Sequence, residues 1–152
     1  MKKLVLASLF LAVSQMAMAV NWLEMPSDGR NGRIMIDVDS MKKHYFSHKS
    51  KRFYLTAWIK RIYPNIQIAS NGKSYNISRE FMYFDCENRK SMLGEIINYY
   101  NSDNQAVESG RFYVNTTSSS DWGNVVPETA GEARLHLACD AYEIGTKYGY
   151  QF

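Results

Sequence analysis

The sequence lacks the features that usually mark an enzyme. It contains no G-x-S-x-G nucleophile elbow, no H-E-x-x-H zinc helix and no Gly-rich loop of the kind that cradles phosphates. Its two cysteines, Cys86 and Cys139, have neither C-x-x-C spacing nor a neighbouring His and Cys cluster, which argues against a redox or zinc pair. Only three prolines occur, the one low-complexity tract is the short polar run 116–121, and 14% of the residues are aromatic, so the composition excludes disorder. After the first twenty residues no apolar run approaches the roughly 20 residues that cross a bilayer as a helix.

What is present at the N-terminus reads as an export signal. Met1-Lys2-Lys3 is a short positive segment, Leu4 to Val13 is apolar apart from Ser8, and Ala17-Met18-Ala19 is a small-x-small cleavage site. The expectation is a signal peptide over 1–19 and one domain over 20–152. The first mature residue is then Val20, not the Cys of a lipoprotein, so the expected location is the periplasm, or the cell surface or medium beyond it. Losing Lys2 and Lys3 leaves 16 basic against 15 acidic residues, too even a balance for a dedicated nucleic-acid binder. The remaining length of about 133 residues suits one ordinary domain with its own core.

An oxidising compartment changes the meaning of the cysteines. An even count there reads first as a structural disulfide, Cys86 to Cys139. Closing a loop of about 54 residues would stabilise the fold by about 4 kcal/mol in the chain-entropy model.

The patterning predicts an α+β fold: a small antiparallel meander with one helix near the C-terminus. Gly32 to Asp37 alternates after the turn Ser27-Asp28-Gly29, and Asp39 to Lys43 fits a short helical turn followed by a basic loop. Phe53 to Tyr63 is rich in aromatic and β-branched residues and predicts a central strand that stops at Pro64, although it shows no clean two-face alternation. Asn71-Gly72 predicts a turn, Tyr75 to Asp85 a strand, and Met92 to Tyr100 with Ala106 to Val114 a further strand pair. Thr129-Ala130-Gly131-Glu132 matches the S/T-x-x-E capping box, with Ala130, Ala133, Leu137, Ala138 and Ala141 at helical spacing. Ala133, Leu135, Leu137 and Cys139 also alternate, so a strand competes with the helix there. The ending Tyr148, Tyr150, Phe152 is similar to the last strand of an outer-membrane barrel, an architecture that a helix and a long-range disulfide fit badly.

The segment Tyr83-Phe84-Asp85-Cys86-Glu87-Asn88-Arg89, then Trp122-Gly123-Asn124-Val125-Val126-Pro127-Glu128-Thr129, then Cys139, resembles the pattern of the surface-adhesin protein E family of Gram-negative bacteria. Trp22, Ile36-Asp37 with Asp39-Ser40, and Trp58 extend the resemblance over nearly the whole mature chain. It implies a small antiparallel sheet with a packed helix, a structural disulfide, and an exported protein that binds host extracellular-matrix or plasma proteins. The chain departs from the adhesin that names the family in having no lipid-bearing Cys.

The candidate binding segment is 42–52, where Lys42, Lys43, Lys49, Lys51 and Arg52 supply five fixed positive charges with His44 and His48 and no acid. Such a loop docks an acidic protein surface or a sulfated glycan, with Tyr45 and Phe46 as apolar anchors, or is a solvated connection between strands. His44 and His48 share a face only on a helix, and no third ligand joins Asp39 beside them, so no metal and no cofactor are assigned. Asp85 and Arg89 read as scaffold, Trp22, Trp58 and Trp122 as core candidates, and His136 as a surface residue of the helix. The expected function is a non-enzymatic exported binding domain; the alternative is a periplasmic accessory protein of the same fold with no host ligand. An open sheet edge leaves room for a homodimer.

Overall fold

Three long strands form the centre of the sheet in the computed structural model, which describes residues 20–25 and 32–152. The expected signal segment 1–19 and the turn at Ser27-Asp28-Gly29 lie outside the described residues. The central strands are β4 (Phe53–Ile68), β5 (Ser74–Asp85) and β6 (Lys90–Tyr100), joined as antiparallel hairpins. Gly72 takes φ +79° in the first hairpin turn, a backbone conformation that costs glycine little.

Each outer edge of this trio is shared by two shorter strands. β2 (Arg33–Asp37) and β3 (Lys42–Tyr45) follow one another along β4, and β1 (Trp22–Glu24) extends the sheet beyond β2. On the far side, β7 (Ala106–Arg111) and β8 (Gly123–Asn124) pair with separate stretches of β6. Between β2 and β3 the chain makes a single 3-10 turn, Val38–Ser40, capped by the Asp37 carboxylate. The Ser40 hydroxyl accepts from the Trp58 amide at 2.9 Å and so fills the gap in the ladder.

Two sequence expectations change here. Lys42 and Lys43 belong to a strand, not to a helical turn or a loop. Pro64 does not stop β4, which continues to Ile68. The ladder to β5 is irregular between Ile62 and Gln67, so the missing proline N–H interrupts no regular pairing.

The helix α1 (Ala130–Lys147) covers one face of the sheet. Thr129 is its N-cap, with Oγ1 accepting from the Glu132 amide at 3.4 Å, while the Glu132 carboxylate reaches back to the Glu128 amide at 2.8 Å. The helix wins over the competing strand because its 3.6-residue period brings Leu135, Leu137, Ala138 and Ala141 onto Ile34, Ile36, Leu55, Ala57, Ile59, Met82 and Phe84. Cys86, at the end of β5, is bonded to Cys139 of α1, with Cα atoms 5.9 Å apart. A buried ion pair, Glu80 to Arg134 at 3.1 Å, joins the same two elements. Tyr148 to Phe152 forms no strand: the chain turns back after α1, and Phe152 packs on Tyr142 and against Gly145. Among the described residues no helix is long and apolar enough to cross a membrane.

Candidate functional site

The face opposite α1 carries the residues that alternate with the core. Leu55, Ala57 and Ile59 point to the helix, so Tyr54, Thr56 and Trp58 point away from it, beside Phe81 and Tyr83 of β5. Apart from Thr56 both sets are apolar or aromatic, which hides the two-residue period from a hydropathy reading. The rings form a continuous floor: Trp58 and Phe81 have centroids 5.4 Å apart, Phe81 and Tyr83 5.7 Å, and Tyr54 and Tyr83 5.8 Å. The floor lies in an open groove of about 810 Å³, walled by Lys42 and His44 on one side and by Phe112, Tyr113 and Val114 on the other.

A bulge in β6 shapes the far wall. The pairs Glu80 with Ile97 and Met82 with Leu93 leave Gly94, Glu95 and Ile96 opposite Phe81 alone. Any side chain at Gly94 would meet the Phe81 carbonyl oxygen at 2.4 Å and the Tyr83 ring at 2.7 Å, so glycine is what lets that ring lie flat across the strand. Glu95 is thereby turned over Tyr83 and accepts its hydroxyl at 2.6 Å. Burial and this carboxylate push the Tyr83 phenol well above its ordinary range. On the near wall, the His44 ring stacks on Tyr54 at 5.2 Å, with Nε2 3.1 Å from the Thr56 hydroxyl. Burial, and then the Lys42 charge, hold the His44 pKa below that of free imidazole.

The five basic residues singled out in the sequence do not form one patch. Lys42 lines the groove, but Lys43 projects to the helix side, its ammonium 4.4 Å from the Phe53 ring centroid and 5.9 Å from that of Tyr142. The neighbouring side chains of Tyr142 and then Tyr45 favour the charged ammonium and raise its pKa. Arg52 is tied into the scaffold. Its Nη2 lies 3.1 Å from the buried Asp85 carboxylate, its Nε 3.6 Å from Glu87, and its guanidinium over the Phe46 ring. Lys49 and Lys51 stand exposed in the loop and, like Lys42, make no ion pair with the described residues.

Asp85 is scaffold as expected: it ties the strand end to nearby backbone, accepting the Asn88 amide at 3.1 Å, and also accepts from the Asn88 side chain and from Arg52. Arg89 takes φ +51° in the hairpin turn and pairs with Glu132 and His136 of α1. Trp122 is buried, Trp58 is half-buried in the groove floor, and Trp22 sits on the edge strand beneath Lys60. His44 lies in β3 and His48 in the following loop, so the helical spacing that would pair them is not realised. Among the described residues no group of three or more His, Cys, Asp or Glu side chains is placed to hold a metal. The sequence reading missed the groove, whose floor residues are separated by some twenty-five positions and meet only through strand register.

No curated protein and no solved structure matches the chain. A family model described as surface-adhesin protein E matches residues 22–140, a span that takes in every strand, the half-cystines and the first half of α1. The antiparallel sheet, the single helix packed on it and the Cys86–Cys139 bond agree with the fold that the sequence motifs implied, and the chain belongs to the surface-adhesin protein E family.

Proposed function

We propose that the chain is an exported, non-enzymatic binding domain that attaches to host extracellular-matrix or plasma proteins through the open face of its sheet. The observation that carries this reading is the asymmetry of the sheet. One face is closed by α1, while the other leaves Trp58, Phe81 and Tyr113 accessible beside the unpaired Lys42, with Lys49 and Lys51 unpaired in the loop that follows β3. Partly or fully exposed aromatic rings supply contact area at low entropic cost, and the unpaired lysines steer an acidic partner toward this side of the domain. Family membership supports the adhesin character, and the cleavable signal read from the sequence supports export.

The structure changes how the basic segment should be tested. Arg52 holds Asp85 next to the disulfide, so reversing its charge would disturb the scaffold. The informative variant is Lys42→Glu, Lys49→Glu and Lys51→Glu together, compared with Lys147→Glu at the distant end of α1. Binding of the oxidised protein to a panel of matrix and plasma proteins should weaken as salt shortens the screening length below about 10 Å. It should be lost in the triple variant and kept in the Lys147 variant. A folded, oxidised protein that retains nothing from the panel would point to a periplasmic accessory role.

A further inference from the structure

A second depression, of about 420 Å³, opens between the basic loop 46–52 and the hydroxyl-rich loop 115–121. Its apolar floor is made by Phe46 and Trp122, whose ring centroids are 5.5 Å apart. The hydroxyl-rich loop is held from within: Asn115 Oδ1 accepts from both the amide and the hydroxyl of Thr117, and the Trp122 indole donates to the Thr116 carbonyl at 3.0 Å. That arrangement leaves the hydroxyls of Thr116 and Ser119 at the pocket wall without a partner among the described residues. The ammonium of Lys90, on the opposite wall, also makes no ion pair with them. Asp85 beneath is fully engaged, accepting three hydrogen bonds from Asn88 and one from Arg52.

We propose that this pocket binds an acidic pyranose, a sugar ring carrying one carboxylate. The two aromatic rings, inclined at 54° to each other, present apolar surface for the C–H side of a pyranose, and the free hydroxyls of Thr116 and Ser119 match its hydroxyl rim. Lys90 then takes the carboxylate in a charge-assisted hydrogen bond. An inorganic anion would use Lys90 and leave the rings and hydroxyls idle, whereas a neutral sugar would leave the one uncompensated charge idle. The volume lies near the lower end of the range of about 300 to 1,000 Å³ found for small-molecule sites and suits one ring rather than a folded partner. This inference rests on Lys90 and the Phe46–Trp122 floor, none of which belongs to the groove or the lysines invoked for host proteins, although the two depressions share Thr116 and the basic loop borders this one.

The test is an amide and indole NMR titration of the oxidised protein with methyl β-glucuronide, methyl β-glucoside and sodium acetate. The glucuronide should shift the Trp122 indole signal saturably, the glucoside should bind more weakly, and acetate at the same concentration should leave that signal in place. Lys90→Gln should weaken glucuronide binding about tenfold and remove the preference over the glucoside, as expected for loss of a hydrogen bond to a charged group. Lys90→Arg and Lys49→Gln should both retain binding. An equal response to acetate or to the glucoside, no shift with the glucuronide, or a folded Lys90→Gln protein that binds like the parent would each overturn the proposal.

Discussion

Glu80→Gln should cost the fold far more than its change of one oxygen to an amide suggests. Glu80 lies on the covered face of β5, where one carboxylate oxygen accepts the Ser78 hydroxyl at 2.7 Å and the other sits 3.1 Å from Arg134 of α1. The two side chains are only 6% and 16% exposed, so water cannot replace either partner. Glutamine keeps the volume, so no cavity opens, but Arg134 is left as a buried charge. Removing one member of a buried pair typically costs about 3 to 5 kcal/mol, and the residual exposure of Arg134 places this case near the lower figure, about 3 kcal/mol. With a urea slope of about 1.5 kcal/mol/M for a domain of this size, the unfolding midpoint should fall by about 2 M. The double variant Glu80→Leu with Arg134→Met removes both charges and should recover most of the loss, because desolvation of the pair offsets much of its attraction. Equilibrium urea unfolding followed by far-ultraviolet circular dichroism gives both numbers. A midpoint for Glu80→Gln within a few tenths of a molar of the parent would refute the reasoning, as would a double variant less stable than the single one.

Three further perturbations probe other parts of the fold. Reducing Cys86–Cys139, or replacing both residues by serine, should lower stability by about 4 kcal/mol from the loop it closes, read as a large drop in thermal midpoint in the presence of reductant. Gly94→Ala should destabilise by about 3 kcal/mol, because its Cβ meets backbone that cannot move aside; loss of the Tyr83 and Glu95 contact would appear in tyrosine absorbance titrations as a lower phenol pKa. For His44 the folded pKa is depressed, so the unfolded chain binds the proton more readily and stability should fall as pH drops below the free imidazole value toward the folded one. Lys42→Gln should raise the His44 pKa measured by NMR, and an unchanged value would remove the Lys42 charge as a cause.

The elements with local chemistry were readable in the sequence. Thr129 and Glu132 marked the helix start because capping is made by neighbours in the chain, and Asn71-Gly72 marked its hairpin because few residues tolerate positive φ. The cysteine pair was readable because only two were present. Readings that failed depended on context. Lys42 and Lys43 looked like loop residues by charge, yet β3 pairs with β4 alone, and charged lysines suit such an edge because they discourage further pairing. Pro64 looked like a stop, but the ladder is already irregular where it falls. The aromatic floor was invisible because Trp58 and Phe81 meet through register, and the bulge that aims Glu95 leaves only a glycine as its trace.

Placing the contact surface on the open face is tested most directly by two truncations of exposed residues on opposite sides of the domain. Tyr113 is 91% exposed at the groove wall, and Ile144 is 57% exposed on α1, so neither change should disturb the fold. The measurement is the affinity of Tyr113→Ala and Ile144→Ala for a host protein retained in the panel. A loss of about tenfold for Tyr113→Ala, the size expected of an aromatic contact at an interface, with Ile144→Ala unchanged, is the predicted result. Loss in Ile144→Ala with Tyr113→Ala unchanged would contradict the account and move the contact surface to the helix.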